Sequence, residues 1–298
     1  LAWPAGFQNA FNNVSCYGSR CAAAGSQSIN SGGSYYYNPL IAYTDDGGAS
    51  WSYPVSVNDP PLTPSTGSTG FYGVSCSAEA CVAVGQQVDS PLIARAAAEG
   101  TWEYIVNNAS LVPADLSASI LKSVGCSDSA CVAVGDYSDN LGTPSRFPYI
   151  VTSTDAGASW TYTYSSTNQP TFFQSNGYLN DVSCSGSRCV TIGDYLNTSN
   201  VTVPLFLYST SSGTMWTQGN YTLPTGITRG WFTSVHCEGR ECYASGGHMS
   251  GAVSYPLLAR SIDGGKNWSN PISSTSIPSL LSPFADSIGF RSVGFSSQ

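Results

Sequence analysis

The sequence is poor in charge. Only 9% of its 298 residues are Asp, Glu, Lys or Arg, for a formal net charge of −8, against the quarter usual in globular domains. Lys122 and Lys266 are the only lysines, and the eight arginines are scattered. No basic stripe faces phosphate, which argues against a nucleic-acid partner. No run approaches 18 consecutive apolar residues, which excludes a membrane-spanning helix. Aromatics, at 12%, are too many for a disordered chain. What remains is a folded, acidic, weakly charged protein, long enough for one large core or two small ones. The chain opens at Leu1 without Met or a signal peptide, as expected of a processed secreted protein or a trimmed one.

The ten cysteines form five pairs of one spacing: Cys16/Cys21, Cys76/Cys81, Cys126/Cys131, Cys184/Cys189 and Cys237/Cys242. Their flanks repeat as well, as in VSCSAEACVAVG and VSCSGSRCVTIG. A repeat of about 50 to 60 residues points to a propeller or array built from one supersecondary unit. Four residues between cysteines suit a hairpin turn. Cysteines flanking it face each other across antiparallel strands, within disulfide reach. Each bridge then stabilises by about 2 kcal/mol in the chain-entropy account. The rival is zinc, but a zinc site needs two pairs to converge, and five separate units cannot all supply that. Hairpin disulfides imply an oxidising compartment.

A second repeat follows each cysteine pair. Residues 44–51 (TDDGGASW), 153–160 (STDAGASW) and 261–268 (SIDGGKNW) share [ST]-x-D-x-G-x-x-W, and 95–102 and 209–216 are eroded copies. The pattern resembles the Asp-box, or BNR, repeat of sialidase-like β-propellers, and the likeness runs over nearly the whole chain. The motif has a structural reading. Asp46, Asp155 and Asp263 accept backbone N–H groups across a tight turn, glycine supplies positive φ, and Trp51, Trp160 and Trp268 pack between layers. Trp102 and Trp216 hold the same position in the eroded copies. None of these is expected to be catalytic.

Each unit reads as four strands: A up to the first Cys, B from the second Cys to a Gly, C into the box and D from its Trp. The expectation is an all-β, five-bladed β-propeller of four-stranded antiparallel blades, one A–B hairpin disulfide in each. We take 1–298 as a single domain with blades near 11–57, 71–106, 121–165, 180–220 and 232–273. Residues 291–296 (RSVGFS) repeat 122–127 (KSVGCS) with Phe for Cys. Residues 274–298 therefore read as a closing segment or a partial further repeat, and a longer parent chain stays open. Residues 113–122 (PADLSASILK) are expected to form a helical turn or two as an insertion.

The B–C loops and D-to-A crossovers share one face in this blade order and are the long, varied segments, where binding usually resides. The disulfide hairpins and Asp-boxes emerge as short turns on the other. The long segments carry the candidate ligand contacts Tyr35, Tyr36, Tyr37, Tyr137, Arg146, Phe172, Tyr178, Tyr195, Arg229, Trp231 and His248. Aromatics beside Asn, Asp and Ser suit stacking on sugar rings with hydrogen bonds to their hydroxyls. The competing reading packs these aromatics onto the scaffold.

The resemblance implies sialidase chemistry: an arginine triad, a Tyr/Glu nucleophile pair and an acidic acid/base residue. The residues do not supply it. Arg20, Arg188 and Arg240 lie inside cysteine hairpins, and Arg95 and Arg260 lead into box turns. Glu79, Glu238 and Glu241 are also in the hairpins, and Glu99 and Glu103 belong to an eroded box. A different hydrolase needs only two carboxylates, for which Asp136 and Asp194, equivalent in adjacent blades, are the candidates. The alternative is that Asp after Gly starts a turn. No metal or cofactor is expected. Calcium at Asp136/Asp139 is the weakly signalled exception, since the spacing matches no full ligand loop. Glycosylation sequons at Asn13 and Asn267 look sterically poor, leaving Asn108, Asn197, Asn200 and Asn220.

The leading expectation is a secreted or cell-surface, non-catalytic recognition propeller whose partner is carbohydrate or a surface glycoprotein. The alternatives are a structural subunit of a filament, coat or surface assembly, pairing with itself or another coat protein, and a glycoside hydrolase of sialidase-like fold. An uncharged exterior favours self-association, because few charges repel.

Overall fold

The computed structural model describes residues 7–31, 34–55, 69–97, 100–105, 116–139, 146–163, 176–197, 199, 201–227, 229–250 and 253–272. These form twenty strands in five four-stranded antiparallel sheets, each with its strands in sequence order. The arrangement fits a five-bladed β-propeller. By its internal contacts the chain divides into two compact units.

The first unit holds three sheets, except that residues 146–148 at the start of the third sheet's third strand fall in the second unit. The first consists of β1 (Phe7–Tyr17), β2 (Arg20–Ser31), β3 (Ser34–Thr44) and β4 (Ser52–Val55). The second has β5 (Thr69–Cys76), β6 (Ala80–Gln87), β7 (Ser90–Ala97) and β8 (Trp102–Tyr104). The third has β9 (Leu116–Ser127), β10 (Ala130–Asp139), β11 (Arg146–Ser153) and β12 (Thr161–Tyr162). Small and branched side chains on alternate positions bury both faces of the inner strands. Ala22, Ala24, Ile41 and Tyr43 of one sheet pack on Phe71, Val74 and Leu92 of the next. The helical turn expected over 113–122 is absent from its described part. Residues from Leu116 onward belong to β9, where Ser119 pairs with Tyr137 and Ala118 with Ser138. The ladder to β10 outweighs a weak local helical preference.

The second unit holds two sheets: β13 (Gly177–Ser185), β14 (Arg188–Leu196), β15 (Thr202–Ser209) and β16 (Thr217–Gln218), then β17 (Arg229–Glu238), β18 (Glu241–Ser250), β19 (Val253–Ser261) and β20 (Ser269–Ile272). Val190, Ile192 and Phe206 meet Phe232, Val235, Leu257 and Trp268 in its core.

All five cysteine pairs are disulfides across the A–B hairpins: Cys16–Cys21, Cys76–Cys81, Cys126–Cys131, Cys184–Cys189 and Cys237–Cys242, with Cα atoms 4.0–4.1 Å apart. Such bridges belong to an oxidising compartment. The bridges stand at the expected hairpin positions and also take part in the packing. The second cysteine of every pair, Cys21, Cys81, Cys131, Cys189 and Cys242, is buried, as are Cys76 and Cys237. Each second cysteine is the second residue of strand B, an inner strand of its sheet, so its sulfur packs as a small apolar side chain. Cys76 and Cys81 belong to the core of the first unit, and Cys237 and Cys242 to that of the second. These ten residues are therefore structural and offer nothing to a ligand or metal.

A hydroxyl beside the cysteine ties successive sheets together. The Cys76 N–H donates to Ser15 Oγ at 3.0 Å, Cys126 N–H to Ser75 Oγ at 3.0 Å and Cys237 N–H to Ser183 Oγ at 2.9 Å.

The Asp–Gly–Trp turns share one hydrogen-bond scheme. Ser153 Oγ donates to Asp155 Oδ1 at 2.7 Å and accepts the Gly157 N–H at 2.9 Å. Asp155 accepts the Ser159 N–H at 2.8 Å and its hydroxyl at 2.6 Å. Thr44/Asp46/Ser50 and Ser261/Asp263/Asn267 repeat the arrangement. Ala156 and Gly157 take φ of 56° and 85°, and the Trp160 indole N–H donates to the Gly157 carbonyl at 2.9 Å. In the eroded copy Ser211 stands in for the aspartate and accepts the Met215 N–H at 3.0 Å. The three carboxyls sit below their ordinary value of 3.8. For Asp46 the Ser50 hydroxyl is the largest cause, followed by the Ser50 N–H and Thr44. For Asp155 and Asp263 partial burial pushes upward, but the hydrogen bonds within the turn outweigh it.

Every sheet carries a bulge at one equivalent place, and the third has a second register shift at Ser138/Asp139. The A strand carries an extra residue, Asn12, Tyr72, Lys122, Asn180 or Thr233, where its register to strand B shifts. Opposite each bulge stands a glycine four residues after the second cysteine: Gly25, Gly85, Gly135, Gly193 and Gly246. A Cβ there would fall onto the carbonyl oxygen of the bulged strand. The repeated glycine thus reflects a close backbone approach.

Candidate functional site

Beyond the bulge the strands continue further than a loop reading allows. Residues 26–31 and 34–38 pair as β2 and β3, Gln27 with Asn38 and Ser28 with Tyr37. Tyr36 and Tyr37 are half-buried in that ladder, and Tyr35 is in β3 opposite Asn30. Tyr137 is a correction. It is buried, pairs with Ser119 and packs edge-on against Tyr149, with ring centroids 6.3 Å apart. Burial pushes the Tyr149 hydroxyl upward, as it does Tyr162, which the neighbouring Tyr137 raises further. These phenols are core.

His248 is a second correction. It lies within β18, between Gly230 and Tyr255, and stacks on the Tyr255 ring at 5.4 Å. With 2% of its surface exposed, it offers no loop imidazole to a ligand. Burial lowers its pKa from 6.5, against a smaller upward pull from the Met249 backbone. The carboxylate candidates are buried too. Asp136 pairs with Ile120 in β10 and forms an ion pair with Lys122 Nζ at 2.5 Å. Asp194 lies within β14, between Tyr178 and Pro204. The two belong to different units, and neither starts a turn. Asp181 accepts the Val182 N–H at 2.9 Å and the Val235 N–H at 2.8 Å, which makes it a tie between sheets. Asp139 ends β10 opposite Leu116.

Arg146 opens β11 and is exposed, its backbone N–H donating to Asn176 Oδ1 at 3.4 Å. Tyr178, half-buried, pairs with Asp194. Arg229 is exposed at the start of β17. Trp231, half-buried, covers Gly247, whose Cβ would stand 2.7 Å from the indole. Phe172, Asn108 and Asn200 lie outside the described residues.

A cleft lies in the second unit, and of the described aromatic candidates only Tyr195 lines it. It measures about 300 Å³ and is bounded by Tyr195, Asn197, Val203, Pro204, Gln218, Gly219, Tyr221, Thr222 and Leu223. Two ladders position this wall. Tyr195 and Val203 are register partners at the end of β14 and β15. The segment after β16 is held from the last sheet: Asn220 N–H donates to the Lys266 carbonyl at 2.7 Å, and Trp268 N–H to the Asn220 carbonyl at 2.9 Å. Gly219 is required here, because a Cβ would strike the Gly265 carbonyl.

Tyr221 is the most constrained ring of the cleft. Its hydroxyl donates to Asn270 Oδ1 at 2.8 Å, and its ring lies 4.9 Å from Phe206 and 5.3 Å from Phe232. Burial pushes its pKa up, only partly offset by Asn270. Asn197 shapes the rim. Its side-chain oxygen accepts the Ser199 N–H at 2.9 Å and the Val201 N–H at 3.0 Å. Among the sequons, Asn220 donates to Asn267 Oδ1 at 3.0 Å, while Asn267 is committed to Asp263. Sequence reasoning missed Gln218, which pairs with Leu207, and Tyr221, Thr222 and Leu223, whose segment is held by bonds from Asn220, Tyr221 and Thr222 to residues almost fifty positions away. Among the described residues no cluster of three His, Cys, Asp or Glu could hold a metal ion, and no helix is long and apolar enough to cross a membrane.

No family model matches the sequence, and no curated protein matches it. Solved structures do resemble it. The GH74 xyloglucanase of Xanthomonas campestris aligns with 88% of this chain and 38% of its own at 12% identity and a TM-score of 0.52. A Trypanosoma rangeli sialidase mutant displaying trans-sialidase activity aligns over 88% and 47%, at 14% identity and a TM-score of 0.52. YCF48 bound to D1 peptide aligns over 91% and 70%, at 18% identity and a TM-score of 0.46. The chain thus spans less than half of the two enzymes. Likeness at this identity carries the propeller fold, of sialidase-like architecture, and nothing finer.

Proposed function

We propose that this protein is a secreted, non-catalytic recognition propeller, its turns Asp-boxes, that binds carbohydrate through the Tyr195/Tyr221 cleft. One observation carries the reading: two tyrosine rings and the carboxamide residues Asn197 and Gln218 converge on one concave wall. Apolar ring faces beside a few placed polar groups are how small polar ligands are held. A xyloglucanase and a sialidase share the architecture, which is consistent with sugar recognition. The non-catalytic part rests on the carboxylates, since no Asp or Glu lines the cleft and Asp136 is buried against Lys122. The test is glycan-array binding with wild type and Tyr195→Ala. Binding lost in the variant, with its melting curve retained, supports the reading. Glycan hydrolysis that disappears in Asp136→Asn or Asp194→Asn would replace it with the hydrolase.

A second reading, assembly through a sheet face, is favoured by strand β1. Phe11 and Val14, which share a face through their partners Gly25 and Ala23, are 41% and 62% exposed, whereas their counterparts in β5, Phe71 and Val74, are 0% and 4% exposed. An open apolar face on a weakly charged protein favours association. Sedimentation velocity across a hundredfold concentration range tests it: a constant monomer peak rules assembly out, and Val14→Lys should dissolve any polymer.

A further inference from the structure

The composition of the cleft narrows the ligand beyond carbohydrate. None of its lining residues is Lys, Arg, His, Asp or Glu. Its lining, which comes from the ends of β14, β15 and β16 and from residues 219–223, is made of uncharged side chains throughout. Resting on the carbohydrate reading, we infer that the cleft selects uncharged glycans and discriminates against acidic ones such as sialosides and uronates.

A ligand carboxylate entering the cleft gives up water and meets no cation, and an unpaired buried charge is strongly disfavoured. Neutral hydroxyls meet what the site offers. The Gln218 carboxamide and the Thr222 hydroxyl provide donors and acceptors, Asn197, whose oxygen is taken by the Ser199 and Val201 N–H groups, provides its amide N–H, and the Tyr195 ring provides a flat apolar face. The Tyr221 hydroxyl is already committed to Asn270, so that residue contributes a ring edge. About 300 Å³ is at the small end of ligand sites, which suits the end of a glycan and not a long buried stretch. Uncharged contacts also make affinity insensitive to salt.

Matched pairs test the inference by isothermal titration on the intact protein: lactose against sialyllactose, and fully methyl-esterified oligogalacturonate against the free acid. The neutral member of at least one pair should bind at least tenfold more tightly than its acidic partner. Its affinity should be unchanged between 0.05 and 0.5 M NaCl and fall at least tenfold in Tyr195→Ala. An acidic member that binds equally or better, with the same dependence on Tyr195, overturns the neutral-ligand inference and leaves the carbohydrate reading standing. If no neutral or acidic glycan from these pairs or a broad array binds, the carbohydrate reading fails and the inference fails with it.

Discussion

Replacing Gly193 by alanine tests the bulge as the organising feature of each sheet. A Cβ at this position falls onto the Tyr178 carbonyl oxygen and stands 2.8 Å from Leu179 Cα and 2.9 Å from Tyr178 C. All three are backbone atoms, so no side chain can swing aside. The strand must shift, opening the ladder between β13 and β14, and such overpacking costs about 3 kcal/mol. Gly186, in the hairpin of the same sheet, is the control. It has φ of 59°, with nothing within 4 Å of an added Cβ, so alanine there incurs only the left-handed backbone penalty of about 1 kcal/mol. Urea unfolding followed by tryptophan fluorescence should show the midpoint displaced about three times further in Gly193→Ala than in Gly186→Ala, at equal slope. Equal midpoints would refute the claim that backbone approach reserves the position for glycine.

Three further perturbations follow. Lys122→Met removes the cation 2.5 Å from the buried Asp136 and should cost about 3 kcal/mol in urea unfolding, most of it restored in Lys122→Met/Asp136→Leu; a neutral single variant contradicts the pairing. Ser183→Ala leaves the buried Cys237 N–H without its acceptor and should cost about 1–2 kcal/mol, more than Ser185→Ala, whose Gly239 partner is exposed; equal losses would refute the role of burial. The pH dependence of melting should have two parts. His248, lowered by burial, contributes stability that is full above 6.5 and lost as pH falls through its folded value, a shallow step absent in His248→Gln. The Asp–Gly–Trp turn carboxyls, lowered by their hydrogen bonds, contribute stability that is full above 3.8 and lost only below it. A collapse of the melting temperature between pH 7 and 4 in His248→Gln would contradict this.

The parts of the fold legible in the sequence are those specified within a few residues. Cys184 and Cys189 close a hairpin whose turn lies between them, and Asp155 bonds to Ser159 four residues on. Such features repeat visibly because nothing distant is needed to satisfy them. How deeply Cys21, Cys81, Cys131 and Cys242 are buried is a different matter, since it depends on the sheets that cover strand B. Strand length is not legible either. Residues 26–31 and 34–38 are mostly polar or aromatic, with Ile29 the one aliphatic side chain, so no period-2 contrast marks them, yet the register continues from Ser26–Pro39 to Ser31–Ser34. The glycine before Asp136 looks like a turn signal, but its true meaning lies in its recurrence four residues after every second cysteine. Four candidates fail for that reason: Asp136, Tyr137, Asp194 and His248 sit one to two residues past their bulge glycine, inside a ladder. Tyr195, also two past its glycine, remains a candidate because β14 ends immediately after it, at Leu196. The other half of the cleft depends on Asn220 meeting Asn267, a pairing that local pattern does not announce.

The bulge also separates what the blades share from what distinguishes them. On its disulfide side every sheet repeats the same hairpin, and most repeat the turn, for reasons of backbone geometry. Immediately beyond the glycine the five sheets carry Ser26, Gln86, Asp136, Asp194 and Gly247, with aspartate shared by two of them and the other three all different. The kink re-aims the strand, as bulges do, so these positions escape the packing rule that holds the repeated half alike. Divergence there is tolerated by the scaffold because the hairpin, its disulfide and its turn are already satisfied on the other side. The cleft follows from that division. Tyr195 and the Asn197 rim lie past the fourth bulge, where the chain is released from the repeat, while Tyr221 is anchored in the packed core of the second unit through Phe206 and Phe232. A variable rim set against a fixed ring is the arrangement by which one scaffold can present different ligand specificities without changing its fold.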